Sequence, residues 1–150
     1  MASVNKEHKS HDMGMHAEQL AGRTQQMYFS PSAEENFVHA YAYEVDYNKA
    51  TELNCADITT TEINNKIREF MRQGYGTITV KNPMGKHALG VGILNRLNLN
   101  FDGSLGYFAC GLIDGPNVRI NGRVGWSCAE NMLAGTVVIE KNAGSTFGAA

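Results

Sequence analysis

A short pattern returns at a fixed interval in the second half of the chain. Gly103-Ser-Leu-Gly106-Tyr107 is followed nineteen residues later by Gly122-Arg-Val-Gly125-Trp126. Leu99 and Phe101 precede the first copy just as Val118 and Ile120 precede the second. Another nineteen residues lead to Val137 and Ile139, then to Lys141-Asn-Ala-Gly144-Ser145, where the second glycine persists and the first has become Lys141. Going backwards, Ile78 and Val80 precede Asn82-Pro-Met-Gly85 at an offset of twenty-one, so that step carries two extra residues. Four degenerate units therefore run from about residue 77 to residue 150. Self-similarity at such a period marks a repeat architecture.

Each unit reads as a short alternating strand, a Gly-x-x-Gly corner and a less regular return. Alternation puts Leu99 with Phe101, Val118 with Ile120, and Val137 with Ile139 on one face. The corner glycines permit positive φ or a close backbone approach. Nineteen residues are too few for a βαβ crossover, which takes about 30. A meander is awkward too, because matching strands would alternate in direction while their register stayed constant. A coil that returns once per repeat to the same place, about 4.8 Å further along, fits. The expected fold is a mainly β, right-handed parallel β-helix of about four short turns, with an antiparallel sandwich as the alternative. In such a coil equal positions stack, which disfavours charge and favours neutral amides. Asn82, Asn95, Asn98, Asn100, Asn117, Asn121, Asn131 and Asn142 suit it, since amides can hydrogen-bond along the axis. The column Leu105, Val124, Ala143 is expected inside, and Tyr107, Trp126, Ser145 as a short aromatic stack.

The rest of the 150 residues is different. Fourteen of sixteen glycines lie from Gly74 onward, but only ten of the twenty-eight Asp, Glu, Lys and Arg. Residues 1–35 are polar and aperiodic and read as a flexible tail, leaving 36–150 as the folded domain. Within 36–48, Phe37, His39, Tyr41, Tyr43, Val45 and Tyr47 predict a strand buried on one face. Thr59 with Glu62 forms a capping-box signature. Ile63, Ile67, Phe70 and Met71 then recur at helical spacing until Gly74 and Gly76. This helix can cap the start of the coil. Nothing after Ala143 reads as a cap for the other end, so either a partner covers that edge or the coil belongs to a longer chain.

Composition excludes several classes of function. A formal charge of −2 without Lys/Arg clusters gives no reason to expect nucleic acid. No run approaches the ~18 apolar residues of a membrane span, and the start has no apolar stretch after its lysines, unlike a secretory signal. Cys55, Cys110 and Cys128 form no CxxC pair and read as reduced, buried thiols, which fits a cytoplasmic setting.

Candidate chemistry is thin. Gly90-Val-Gly92-Ile-Leu-Asn95 falls short of a dinucleotide loop, because Asn stands last and no helix pattern follows. Gly85-Lys86-His87 lacks the Ser or Thr of a phosphate loop. His8, His11 and His16 with Met13 and Met15 suit weak copper or nickel binding, with incidental binding the plainer reading. Asp102, Asp114 and Glu130 read as solvated turn residues, and His39 and His87 have no evident catalytic partner. The expectation is no catalytic, cofactor-binding or metal residue in this chain. The residues singled out are structural turn glycines: Gly103, Gly106, Gly122, Gly125, Gly135 and Gly144.

The stretch 106–144, GYFACGLIDGPNVRINGRVGWSCAENMLAGTVVIEKNAG, resembles the GXGXG domain, the C-terminal β-helix of the glutamate synthase large subunit. That domain is also found as a separate small subunit in glutamate-synthase-like and N-methylglutamate synthase complexes, the latter in methylamine metabolism, and in formylmethanofuran dehydrogenase. Thr59-Thr-Thr-Glu62-Ile-Asn64 resembles the lead-in of the separate-subunit type. The resemblance covers about 57–150. It implies a non-catalytic scaffold that holds a glutaminase-like, amidotransferase-type subunit and an FMN-binding synthase subunit in register. FMN and an iron–sulfur cluster would reside in those partners and no cofactor in this chain. An intermediate such as ammonia passes between sites only if walls exclude water and geometry is fixed. The family's coil has more turns than this chain supplies, and the His- and Met-bearing tail lies outside its pattern. Two other functions follow from the same residues: a stand-alone solenoid module that binds a saccharide or peptide edge on its Asn and aromatic ladders, and the equivalent scaffold of a formylmethanofuran-type oxidoreductase.

Overall fold

Buried and more exposed positions alternate along the middle strands of the computed structural model, which describes residues 41–150. In chain order the elements are β1 (Asp46–Asn54), α1 (Thr60–Arg72), β2 (Tyr75–Lys81), β3 (Asn98–Asp102), β4 (Asp114–Ile120) and β5 (Ala134–Ile139). The strands form one sheet in sequence order, and every neighbouring pair is parallel. Ile78 sits beside Leu99, Leu99 beside Val118, and Val118 beside Val137. Val80, Phe101, Ile120 and Ile139 form the second file. Parallel strands joined by connections this short, each returning to the same register, make a parallel β-solenoid. The four repeat units contribute β2 to β5, which mark out three full turns, and β1 adds a fifth strand in front.

Both files point inward. Ile78, Val80, Leu99, Phe101, Val118 and Ile120 are buried, while Val137 and Ile139 in the last strand are half-buried. Leu105 and Val124 are buried at the corners, as the column reading requires, but Ala143 is exposed because no turn covers it in the described chain. Burying a side chain of this size contributes about 1.5–3 kcal/mol, so the stacked files supply the main cohesion.

The return segments are less regular in sequence but strict in backbone. In each turn, alternate residues take left-handed φ: Phe108, Cys110 and Leu112 lie at 52°, 54° and 57°, and Ser127, Ala129 and Asn131 at 57°, 56° and 56°. Their amides pair between turns as in a parallel ladder. Phe108 donates to Trp126 O at 2.9 Å, Cys110 to Leu89 O at 2.8 Å and Leu112 to Glu130 O at 2.9 Å. Non-glycine residues rarely adopt this region, so the segment is strained and is held by the stacking.

Helix α1 starts where the capping box places it. Thr59 Oγ1 accepts from Glu62 N at 3.3 Å, and Glu62 Oε2 accepts from Thr59 N at 2.8 Å. Ile63, Ile67 and Met71 are buried, and half-buried Phe70 meets Tyr75 edge-on at 5.6 Å. The polar side chains beside that stripe cap the coil. Asn64 Nδ2 donates to Ala88 O at 2.8 Å, and Asn64 Oδ1 accepts from Gly90 N at 2.9 Å. Arg68 donates to Val91 O at 3.0 Å. These groups stand where a preceding turn would otherwise pair with the left-handed segment.

The strand expected over 36–48 is displaced. Residues before 41 lie outside the described ones, and residues 41–45 are irregular. Their tyrosines alternate without a neighbouring strand to pair with. Instead Asn95, only 2% exposed, clamps Tyr43, accepting from its N at 3.2 Å and donating to its O at 3.1 Å. β1 begins at Asp46 and is mostly exposed, with β2 on its one paired edge.

Three substitutions test this account, two expected to destabilise and one not. A Cβ on Gly125 would meet Tyr107 Cδ1 at 2.5 Å and Gly106 C at 2.8 Å. Gly125→Ala should therefore destabilise by about 3 kcal/mol. Leu112, left-handed and 48% exposed, relaxes as glycine. Leu112→Gly should be neutral or stabilise by up to ~1 kcal/mol. Asn64→Ala leaves two backbone groups unpaired at the helix contact and should cost about 2 kcal/mol. Urea unfolding of the three variants measures all of these effects.

Candidate functional site

The corners carry the most distinctive surface. Equal positions there superimpose, so rings spaced by one repeat stack. Tyr107 and Trp126 lie 5.2 Å apart between centroids at 13°. His87 extends the file to three rings, 4.6 Å from Tyr107 at 18°. His87 Nδ1 accepts from Tyr107 N at 2.9 Å, which fixes the ring against the next corner. Tyr107 is 50% and Trp126 60% exposed. The part played by His87 is hidden in the sequence, because it lies twenty residues before Tyr107 while the strands around it are offset by twenty-one.

Close backbone approach makes the stacking possible. A Cβ on Gly106 would strike His87 Nδ1 and come within 2.5 Å of Gly85 O. On Gly144 it would meet Gly125 C at 2.7 Å. Gly106, Gly125 and Gly144 therefore stand in one file. Gly122 packs its Cα onto the Gly103 carbonyl, and Gly103 faces Pro83. Gly135 lies elsewhere, as the second residue of β5 against Pro116 O, so it stands in a strand and not at a corner.

The outer sheet face is polar. Asn117 Nδ2 donates to Asn98 Oδ1 at 3.5 Å, Asn98 Nδ2 to Thr77 Oγ1 at 3.4 Å, and Thr77 Oγ1 to Tyr47 O at 3.2 Å. The chain of amides runs one way down the axis beside a shallow groove of about 320 Å³ that also includes Asn100, Arg119 and Thr136. Arg119 pairs with Glu140 at 2.5 Å and Lys81 with Glu52 at 2.7 Å, both across turns. A second hollow, of about 230 Å³, lies among Tyr41, Tyr43, Val45, Tyr47, Asn95 and Arg96. There Tyr41 donates to Asp114, which raises the phenol pKa, with Arg96 5.1 Å from the ring centroid as a partial counterweight.

The remaining candidates are engaged structurally. Lys86 Nζ donates to Cys55 O at 2.9 Å, and Asp102 accepts from Asn121 at 2.8 Å. Gly90 and Gly92 precede β3, not a helix. Among the described residues no group of three or more His, Cys, Asp or Glu is placed to hold a metal. His8, His11, His16, His39, Met13 and Met15 lie outside the described residues. So does the segment 1–35. Among the described residues no helix is long and apolar enough to cross a membrane.

Cys55, Cys110 and Cys128 are free and buried. Burial pushes the Cys55 thiol up, partly opposed by Lys86. Burial, with Cys128 nearby, pushes Cys110 well up, and burial raises Cys128 to about 11. A thiolate is the nucleophilic form of cysteine, so burial and the raised pKa make these three thiols poor nucleophiles.

Fold and surface together define a parallel β-solenoid with a helical cap, an exposed ring file and side chains bonded mostly to each other. No family model matches the chain, and no solved structure matches it. It is similar to the protein named Protein GlxC of Rhizobium meliloti (strain 1021), at 38% identity over 87 residues, 55% of this chain. The match spans 38% of the length of that relative.

Raised thiol pKa values make stability fall with alkali. The folded state keeps its thiol protons above the ordinary value of 9.0, where the unfolded chain loses them. The stabilisation is complete below pH 9 and declines toward pH 11 as Cys128 ionises. The expected slope is about 1.4 kcal/mol per pH unit for each thiol. Urea midpoints across that range, with Cys128→Ala losing its share of the slope, check it.

Proposed function

We propose that the chain is the β-helix scaffold subunit of a heteromeric glutamate-synthase-type enzyme, in glutamate or N-methylglutamate formation. It would position a glutaminase-like subunit and an FMN-dependent synthase subunit and carry no active site of its own. The observation that carries this reading is the coil itself: successive turns superimpose, and the polar side chains on it are largely spent on neighbouring turns. The GXGXG resemblance supports it, as does the similarity to Protein GlxC. FMN and an iron–sulfur cluster belong, on this reading, to the partners.

The contribution would be positional. A stacked sheet deforms little, so surfaces at two places on it keep a set separation, and a transferred intermediate is protected only while that separation holds. The formylmethanofuran-type scaffold is the same role in another complex. The exposure of Tyr107 and Trp126 favours a second reading, a stand-alone binding module. Native mass spectrometry of the untagged protein from its source separates them. Flavin-bearing partner chains in fixed stoichiometry are expected. A folded monomer at native abundance, free of other chains, would overturn the scaffold reading.

A further inference from the structure

Residues 41–45 cross the outside of the coil without joining its sheet. A few side chains and amides hold them there. Tyr41 N donates to Leu94 O at 2.7 Å, and the Tyr41 hydroxyl donates to Asp114 at the start of β4. The Tyr41 ring packs against Gly115, where a Cβ would meet Cε1 at 2.6 Å. Arg72, the last residue of α1, donates from Nε to the Tyr43 hydroxyl at 3.3 Å. Asp46 N donates to Gly74 O at 2.9 Å, just beyond that helix. Asn95 is the one buried polar side chain among the described residues, and both of its polar atoms are committed to the backbone of Tyr43. The loop that presents Asn95 is one residue longer than its counterparts. Five residues separate left-handed Gly92 from Asn98, whereas four separate left-handed Leu112 from Asn117, the register partner of Asn98.

We propose that residues 41–45 form a strap that docks and releases as a unit while the coil stays folded, with Asn95 as its latch. Apolar packing beneath the strap is slight. A hollow of about 230 Å³ lies among Tyr41, Tyr43, Val45, Tyr47, Asn95 and Arg96, and Tyr41 and Tyr47 are 45% and 49% exposed. A segment with few buried apolar contacts opens locally at low cost. Tyr41 also stands at φ 58°, a conformation that a tyrosine keeps only while its surroundings impose it, so release relaxes it. The latch opposes release, because an undocked strap strips a buried amide of both a donor and an acceptor. Docked, the strap ties the end of α1 to the loop before β3 and to the start of β4. Its opening uncouples the helical cap from those two turns.

Native-state hydrogen exchange of the full chain, read residue by residue by NMR, tests the strap. The amides of Tyr41, Tyr43 and Asp46 should exchange through one shared opening. It should occur at least tenfold more often than opening at Asn117 and Asn121, whose amides pair with the turn below. Asn95→Ala should raise the strap opening roughly thirtyfold, as loss of two hydrogen bonds does. It should leave Asn117 and Asn121 within about threefold. Tyr41→Phe, which removes only the bond to Asp114, should raise the opening about fivefold. The wild-type pattern needs no variant, so it decides even where the alanine chain folds poorly. Strap amides that exchange only together with the coil, or at unrelated rates, overturn the proposal. So does an Asn95→Ala chain whose strap opens no more often, or whose coil amides accelerate as much as the strap.

Discussion

How closely two corners can pass sets everything else. Where Gly125 crosses Gly106, a Cβ would lie 2.8 Å from the carbonyl carbon beneath it, and where Gly144 crosses Gly125 the figure is 2.7 Å. No other residue permits that approach without displacement. With the corners that near, the strands on either side come within pairing distance, and parallel ladders close from β2 to β5. Once they close in matching register, side chains of the middle strands have counterparts above and below. The apolar files, the one-way amide chain and the ring file follow from that one constraint. So does the scarcity of charge: an Arg or Glu repeated in register would face its own kind, and Arg119 and Lys81 instead pair across turns with Glu140 and Glu52.

The left-handed segments show what this arrangement tolerates. Phe108, Cys110, Leu112, Ser127, Ala129 and Asn131 occupy a region that L residues avoid, at about 1–2 kcal/mol each. They stay there because each turn supplies hydrogen-bond partners to the next and because Ala109, Cys110, Cys128 and Ala129 pack inside. A turn with no neighbour would lose that support. On one side α1 replaces the neighbour, with Asn64 reproducing both a donor and an acceptor of the missing backbone. Local stability should therefore be greatest in the middle turns.

The parts of this fold that repeat are the parts that can be read from residues. The nineteen-residue offset, the inward pairs Leu99 and Phe101 or Val118 and Ile120, and the Thr59–Glu62 box all carry a periodic or paired signal, and each is found in place. β1 carries none. Its residues, Asp46 to Asn54, are polar because one edge and most of its side chains face solvent, so hydrophobic alternation is absent. The tyrosines just before it alternate well, yet Tyr43 is held by a single buried amide and not by a ladder. The left-handed residues leave no trace either, since their conformation is imposed by the turns above and below. At the corner, Tyr107 and Trp126 are visible as a pair one repeat apart, whereas His87 is masked by the inserted residues.

A side chain can serve chemistry only if its polar atoms are free to meet a substrate. In this coil the equality of successive turns works against that. A group placed at one turn finds its equivalent a few ångströms away and bonds to it, as the amides of Asn98 and Asn117 do, or the hydroxyls of Ser127 and Thr146. Thiols that fall on the inner columns lose solvent and keep their protons. What the repeat cannot satisfy from within is the surface where a column stops. The ring file stops at Trp126 because Ser145 breaks it, and an aromatic plane is left with nothing equal to stack on. Along this coil, side chains such as those of Asn98, Asn117, Ser127 and Thr146 are engaged between neighbouring turns, and an exposed aromatic plane is left where the ring column ends at Trp126.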